Sequence, residues 1–334
     1  MKALVLNELK QPLSYQDQPT ASPGDDEVVI RLQAAALNRR DYWITQGKYP
    51  GVETPVIPGS DGSGLVSKLG ASVDANWQDR PVIINPGFCW GERQDAFSSD
   101  FQILGMPRNG TFAEEVCVPA KQIHRRPEHL DAAQAAALPL AGVTAFRALF
   151  SQGGLQSGQR VLVTGAGGGV ATFAIQYAAA AGAEVWVTSS SQQKIDQAVQ
   201  IGAAGGVRYT EDDWHKQLSS KAEHFHVIID SAGGAGYARL LDLAAPGGRI
   251  VNYGATAGPP EQLELFKVFW KQLRLQGSTM GSPTDFQNML DFVSEHKITP
   301  VIDQIVPLSS GAEAVEAMGH SPQFGKIVLQ ISDN

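Results

Sequence analysis

Two hydrophobic periods divide the chain. Up to about residue 120 the apolar positions come in short runs: KALVL, EVVIRLQAAAL, GLVSKL, PVIINP and FAEEVCVPA. Gly, Pro, Asn and Asp punctuate them. Runs of this length with such breaks predict β-strands joined by turns, hence a small β-rich domain. Asp131, with Gln134 three residues on, has the form of a capping box and predicts a helix start. Pro139 interrupts that helix before GVTAFRALF.

From residue 158 the pattern changes to strand–helix alternation. QRVLVTG reads as a buried strand and GVATFAIQYAAAAG as a helix ending at Gly182. AEVWVTS is the next strand, and QQKIDQAVQIG the next helix, ending at Gly202. GGVRYT, FHVIIDSAGG, ARLLDLA and GGRIVNYGA continue the alternation, followed by LELFKVFWKQL and LRLQGSTMG. Apolar strands separated by helices predict a parallel sheet covered on both faces, an α/β doubly wound fold. The tail reads as helix TDFQNMLDFVSEH, strand VIDQIV, helix SGAEAVEAMGH and strand GKIVLQI. We expect it to return to the first domain, giving residues 1–122 with 264–334 as one domain and 123–263 as the other.

Composition narrows the function. Hydrophobic residues make up 43% of the 334 and charged ones 18%, enough for a large core. The formal net charge of −8, with both signs mixed, argues against a nucleic-acid surface. No apolar run reaches membrane-spanning length, and MKALVLNELK is not a signal peptide, so a cytoplasmic location is expected. The two cysteines, Cys89 and Cys117, are expected to be free thiols.

VLVTGAGGGVATFAIQ carries the most chemistry. A strand, a Gly-rich turn and a helix follow in the order that binds a dinucleotide, with the helix N-terminus facing the pyrophosphate. Gly165 and Gly167 fit the first two positions of G-x-G-x-x-G, and Val170 takes the third. A frame one residue later uses Ala166, Gly168 and Ala171. Gly167, Gly168, Gly169 and Val170 are the candidate pyrophosphate residues. A site for NAD usually has Asp or Glu about 20 residues on. Here Thr188-Ser189-Ser190-Ser191 stands there, with Lys194 beyond. A carboxylate there would repel a 2′-phosphate by roughly 4 kcal/mol at ~4 Å and an effective dielectric of ~20. Hydroxyls and a lysine favour NADPH instead. The serines would also serve as helix caps.

These motifs, together with AAALNRRDYWITQGKYPG, PVIPGSDGSGLV, GTFAEEVCVP, AALPLAGVTAFRAL, GGRIVNYGATAG and FGKIVL, resemble the medium-chain dehydrogenase/reductase superfamily. Within it the chain is most similar to the zinc-less quinone oxidoreductase branch. The resemblance implies a GroES-like catalytic domain beside the Rossmann domain. Zinc alcohol dehydrogenases of the superfamily carry Cys where this chain has Asn38 and His where it has Ser60, and neither substitute is a usual zinc ligand. Their structural-zinc lobe needs four close cysteines, and NPGFCWGERQDAFSSDF supplies only Cys89. The expectation is no metal.

The resemblance further implies that Asn38 and Tyr49 lie near the nicotinamide, with Ser60 in the same catalytic group. Another tyrosine of that branch aligns with Trp43, so its hydroxyl is missing here. Thr144 matches a nicotinamide contact. Ser189, Ser190 and Lys194 match the 2′-phosphate site, with Tyr209 beside it. Gly254, Phe324 and Gly325 match positions lining the cofactor site. It also implies a homodimer joined near RLQGSTMG.

Without a Lewis acid, a simple carbonyl is a poor hydride acceptor. A quinone or conjugated carbonyl gives a delocalised anion that hydrogen bonds can hold. The expected activity is NADPH-dependent quinone reduction. The alternative is reduction of an enal, enone or enoyl thioester. A zinc-type alcohol dehydrogenase with unusual ligands and a non-catalytic NADPH-binding protein are further readings.

Overall fold

The computed structural model describes residues 1–320 and 323–332. They form two compact units. One comprises residues 1–141 with the chain from Ser282 onward, and the other is Gly142–Gly281.

The first unit is built on a seven-stranded sheet. Its order is Ile302–Pro307, Lys326–Gln330, Glu27–Ala36, Asp61–Leu69, Pro81–Ile84 and Ile123–Arg125, with Glu115–Pro119 also pairing Glu27–Ala36. Glu27–Ala36 is its axis. Val28, Val29, Ile30 and Leu32 are fully buried, as a strand bounded on both edges and both faces requires. The register fixes what gathers at its end. Ala36 stands opposite Asp61 on one side and opposite Val328 on the other. Leu37 N then donates to Ile327 O at 3.0 Å, so the antiparallel pairing carries on to bring Lys326 level with Asn38. The helix Ala132–Ala137 packs Ala136 and Ala137 on Ala34, Ala36 and Val328. Its capping box forms as the sequence predicts, Gln134 N donating to Asp131 Oδ1 at 2.8 Å and Asp131 N to Gln134 Oε1 at 3.0 Å.

The second unit holds a six-stranded parallel sheet in the order Gly205–Arg208, Glu184–Ser189, Arg160–Val163, Phe225–Asp230, Ala244–Asn252, Arg274–Gly277. In chain order this is 3-2-1-4-5-6, the doubly wound Rossmann arrangement, with the strand order reversing between Arg160–Val163 and Phe225–Asp230. The helices Gly169–Ala180 and Gln192–Gln200 stop where Gly182 and Gly202 take positive φ, of 78° and 119°.

The boundaries between the units differ from those read off the sequence. Residues 123–141 group with the first unit because Ile123–Arg125 joins its sheet and Ala132–Ala137 packs on it. Residues 264–281 group with the second because Arg274–Gly277 is its sixth strand. Among the described residues no helix is long and apolar enough to cross a membrane. Cys89 and Cys117 are free.

Candidate active site and nucleotide loop

The strand register places a buried charge cluster in the first unit. Lys326 is 3% exposed and Asp61 fully buried, and Lys326 Nζ lies 3.0 Å from Asp61 Oδ2. The same ammonium donates to Asn38 Oδ1 at 2.7 Å, and Asn38 Nδ2 donates to Asp61 Oδ2 at 2.8 Å. Leu140 N completes the carboxylate by donating to Oδ1 at 2.8 Å. An ammonium only donates and a carboxylate only accepts, so this triangle permits one orientation of the Asn38 amide. Its oxygen is held by Lys326, one N–H by Asp61, and a single N–H remains to present.

Ser60 sits in a second cluster. Gly59 before it has φ of +98°, and a Cβ there would lie 2.4 Å from Phe112 Cδ1, so only glycine fits. Ser60 Oγ donates to Leu104 O at 2.8 Å and accepts from Arg40 Nη1 at 2.6 Å. Arg40 Nη1 also donates to Leu104 O at 2.8 Å. The hydroxyl proton of Ser60 is therefore committed to backbone, which removes it as a proton donor in this arrangement. Arg40 is 8% exposed, and its Nε and Nη2 are buried without a partner. Each such orphaned charged donor costs upwards of about 1–3 kcal/mol. The Arg40 guanidinium lies over the half-buried Tyr49 ring, its Cζ 4.9 Å from the ring centroid.

Asp41 closes this end. Its Oδ2 accepts from Asn38 N at 2.7 Å, at the start of the helix Arg39–Thr45. Complete burial pushes its carboxyl up to about 6, against the pull of Arg40 and the Asn38 N–H. Phe324 and Gly325 lead into Lys326. Phe324 N donates to Asp303 Oδ1 at 2.9 Å, and Gly325 has φ of +105°. The structure thus brings Asn38, Ser60, Tyr49, Phe324 and Gly325 into one unit, around charges that the sequence reading did not assign: Arg40, Asp61 and Lys326. The usable signal was Lys326 itself, a lysine heading the apolar strand KIVLQ.

The superfamily resemblance raises the question of zinc. Among the described residues no group of three or more His, Cys, Asp or Glu gathers to hold a metal ion. Asn38 and Ser60, which the resemblance sets at the zinc-ligand positions, are bonded to an ammonium and a guanidinium. A divalent ion at ~4 Å from one such cation would be repelled by about 8 kcal/mol at an effective dielectric of ~20. These residues do not fit a catalytic zinc. In the lobe NPGFCWGERQDAFSSDF an aromatic cluster forms the core: Trp90 lies 5.3 Å from Phe101 and 5.9 Å from Phe97, centroid to centroid.

The nucleotide loop lies in the second unit. Thr188 pins it, its O accepting from Ala166 N at 2.8 Å. Gly165 and Gly167 have φ of 69° and 122°. Gly168 is different: its φ of −70° and ψ of 151° suit any residue, and a Cβ there would meet nothing within 4 Å. Neither the backbone nor packing asks for glycine at this position. What the missing side chain keeps clear is the space before the N-terminus of Gly169–Ala180, where Gly169 and Val170 supply the first turn. That is the fit expected of a phosphate group. Ser189 is buried, and its Oγ lies 3.3 Å from the donor Ser191 N and 3.4 Å from Ala166 O. Ser190 and Tyr209 are exposed, and Lys194 is half-buried. Tyr209 N donates to Ser189 O at 3.0 Å, which sets Tyr209 beside the serines. Arg208, which the sequence reading passed over, stands opposite Ser189 in register, its Nε 3.0 Å from Glu211 Oε1. Thr144 is buried and Gly254 is backed by Ser231 O, 3.1 Å from its notional Cβ.

Comparison with known proteins agrees with this architecture. Residues 24–128 match the alcohol dehydrogenase GroES-like domain and residues 169–295 the zinc-binding dehydrogenase family. The zinc-type alcohol dehydrogenase-like protein YogA of Leptosphaeria maculans is 35% identical, covering 96% of this chain and 95% of that protein. An acryloyl-coenzyme A reductase of Sulfurisphaera tokodaii is 29% identical over 99% of this chain and 100% of its own length. A crystal structure of an NAD-dependent alcohol dehydrogenase superposes with a TM-score of 0.94 at 36% identity, covering 99% of this chain and 100% of that one.

Proposed function

The chain belongs to the medium-chain dehydrogenase/reductase family of oxidoreductases, and within it we propose a metal-independent, NADPH-dependent reductase of quinones or related conjugated carbonyls. The observation that carries this reading is the pair of cations on the two residues aligned with zinc ligands, Lys326 on Asn38 and Arg40 on Ser60. A pyridine nucleotide, when bound, supplies the hydride. Gly167, Gly168, Gly169 and Val170 hold its pyrophosphate, and Thr144 and Gly254 flank it. Ser190 and Lys194 take the 2′-phosphate of NADPH, with Ser189 shaping the strand end and Tyr209 covering it. Asn38 offers its one uncommitted N–H to the acceptor's oxygen, and Tyr49 walls the acceptor. A quinone or conjugated carbonyl suits this site because its reduced anion is delocalised and needs hydrogen bonds more than a Lewis acid.

A second reading is supported by the acryloyl-coenzyme A reductase relative: the conjugated acceptor is an enoyl thioester. Kinship with an NAD-dependent enzyme makes the nucleotide preference part of the same test. Chelator-treated protein is offered NADPH or NADH with a small quinone, a 2-alkenal, an enoyl thioester and a simple aldehyde. Turnover of a conjugated acceptor without metal is expected, faster with NADPH, and kcat/KM ranks the acceptors. Activity confined to the simple aldehyde and dependent on added zinc would sink the proposal.

We propose a homodimer formed through Arg274–Gly277. This strand ends the sheet, and all four of its residues are exposed. The preceding helix Leu265–Trp270 exposes Leu265, Phe266, Phe269 and Trp270 by 57–71%. An open edge beside apolar surface is a natural pairing face. Light scattering should give twice the chain mass.

A further inference from the structure

We propose that Arg40 is the electrophile of the site, binding the carbonyl oxygen of the acceptor in place of a metal ion; this rests on the reading of the chain as a reductase of conjugated carbonyls. Arg40 has five N–H donors. Two, on Nη1, are spent on Ser60 Oγ at 2.6 Å and Leu104 O at 2.8 Å. The three on Nε and Nη2 are buried and have no partner. Arg40 as a residue is more than nine-tenths buried, at 8% exposure. A guanidinium kept out of water with three donors unspent is held ready for an acceptor that arrives with the ligand.

Its fixation supports the same use. Ser60 and Leu104 O grip one edge of the guanidinium, and the Tyr49 ring, 4.9 Å from Cζ, faces its plane. In doing so Ser60 donates its proton to Leu104 O and accepts from Arg40 with one lone pair. Ser60 thereby acts as a positioning residue for Arg40, and the position that aligns with a zinc ligand still serves a positive charge. A guanidinium is weakly hydrated, always charged and able to meet an oxyanion with two parallel N–H groups.

With a reduced pyridine nucleotide as reductant, a hydride would be delivered with its electron pair to the β carbon of the acceptor. The conjugated π pair moves onto the carbonyl oxygen, and the resulting enolate oxygen is held by the Arg40 N–H groups. A proton from solvent then neutralises the enolate, so Arg40 gives up no proton. Stabilisation that exists only once charge develops raises kcat more than it lowers KM.

The test has a binding arm and a kinetic arm. In the binding arm, acetate is titrated calorimetrically into the nucleotide-free protein as a mimic of the oxyanion. Wild-type protein should bind it, R40M at least tenfold more weakly, and R40K in between. In the kinetic arm, R40M should lose at least a hundredfold in kcat on the best conjugated acceptor with little change in KM for NADPH, and added guanidinium should restore part of the rate. Circular dichroism identifies any variant that fails to fold, and S60A, which loosens the grip without removing the charge, then substitutes, with at least a fivefold weaker acetate affinity expected. Equal acetate binding by R40M and wild type, or by folded S60A and wild type, overturns the proposal. So does a kcat in R40M within threefold of wild type. Should the protein reduce no conjugated carbonyl at all, the functional reading fails while acetate binding still decides whether Arg40 is an anion site.

Discussion

Replacing Lys326 by Met would remove one charge of a buried pair and leave the other. Asp61 is fully buried and Lys326 3% exposed, with Nζ 3.0 Å from Oδ2. Breaking such a pair from one side costs about 3–5 kcal/mol, chiefly because a carboxylate stays behind without compensation. The network moves the expectation to the lower half of that range. Asp61 would keep two donors, Leu140 N at 2.8 Å and Asn38 Nδ2 at 2.8 Å. Asn38 Oδ1 would lose its donor at 2.7 Å, which adds roughly 1 kcal/mol. We expect K326M to lose about 3–4 kcal/mol in urea denaturation of the first unit. The double variant K326M/D61N should recover at least half, since a neutral amide replaces the stranded charge. A cost under about 1 kcal/mol for K326M, or a K326M/D61N less stable than K326M, would contradict a stranded buried charge at Asp61.

In G168V the new side chain occupies open space before a helix N-terminus, so the fold should survive while NADPH affinity, read by fluorescence titration, falls at least tenfold. Asp41 has its carboxyl raised from 3.8 to about 6 by burial, so its protonated form favours folding. That contribution is complete below about pH 4 and is lost as pH rises through 6, a change of about 3 kcal/mol that D41N should abolish in a stability–pH profile. W90A removes a side chain 3% exposed at the centre of an aromatic cluster and should cost roughly 3–5 kcal/mol, whereas a chelator should leave the wild-type Tm unchanged.

The elements were legible wherever local chemistry speaks alone. Asp131 and Gln134, Pro139, Gly182 and Gly202 mark helix boundaries through caps, a missing donor and positive φ, all short-range effects. Parallel strands such as VLVTG and HVIID show as continuous apolar runs because both faces are covered. The domain boundaries were less legible. Whether Arg274–Gly277 joins one sheet or another depends on pairing with Ala244–Asn252, a partner more than 20 residues away that its own composition does not name. The nucleotide loop declared itself by glycines, yet Gly168 gains its meaning only from the empty space beside it.

The charges of the first unit were the hardest to read, for a physical reason. Burial is what gives Arg40, Asp61 and Lys326 their weight, and burial is a property of the folded sheet. In the sequence, Arg39 and Arg40 are two equivalent basic residues opening a helix. In the structure Arg39 donates to Met318 O, while Arg40 turns inward to Ser60. Asp61 and Lys326 are 265 residues apart, and only the register that sets Asp61 and Val328 on the two sides of Ala36, with Lys326 level with Asn38, makes them a pair. An Asn and a Ser aligned with metal ligands read from sequence as a subtraction. Their partners are visible only in the fold: a buried ammonium on Asn38 and a buried guanidinium on Ser60. In the function we propose, these two cations would supply electrostatic stabilisation of a developing oxyanion without the open coordination position of a metal.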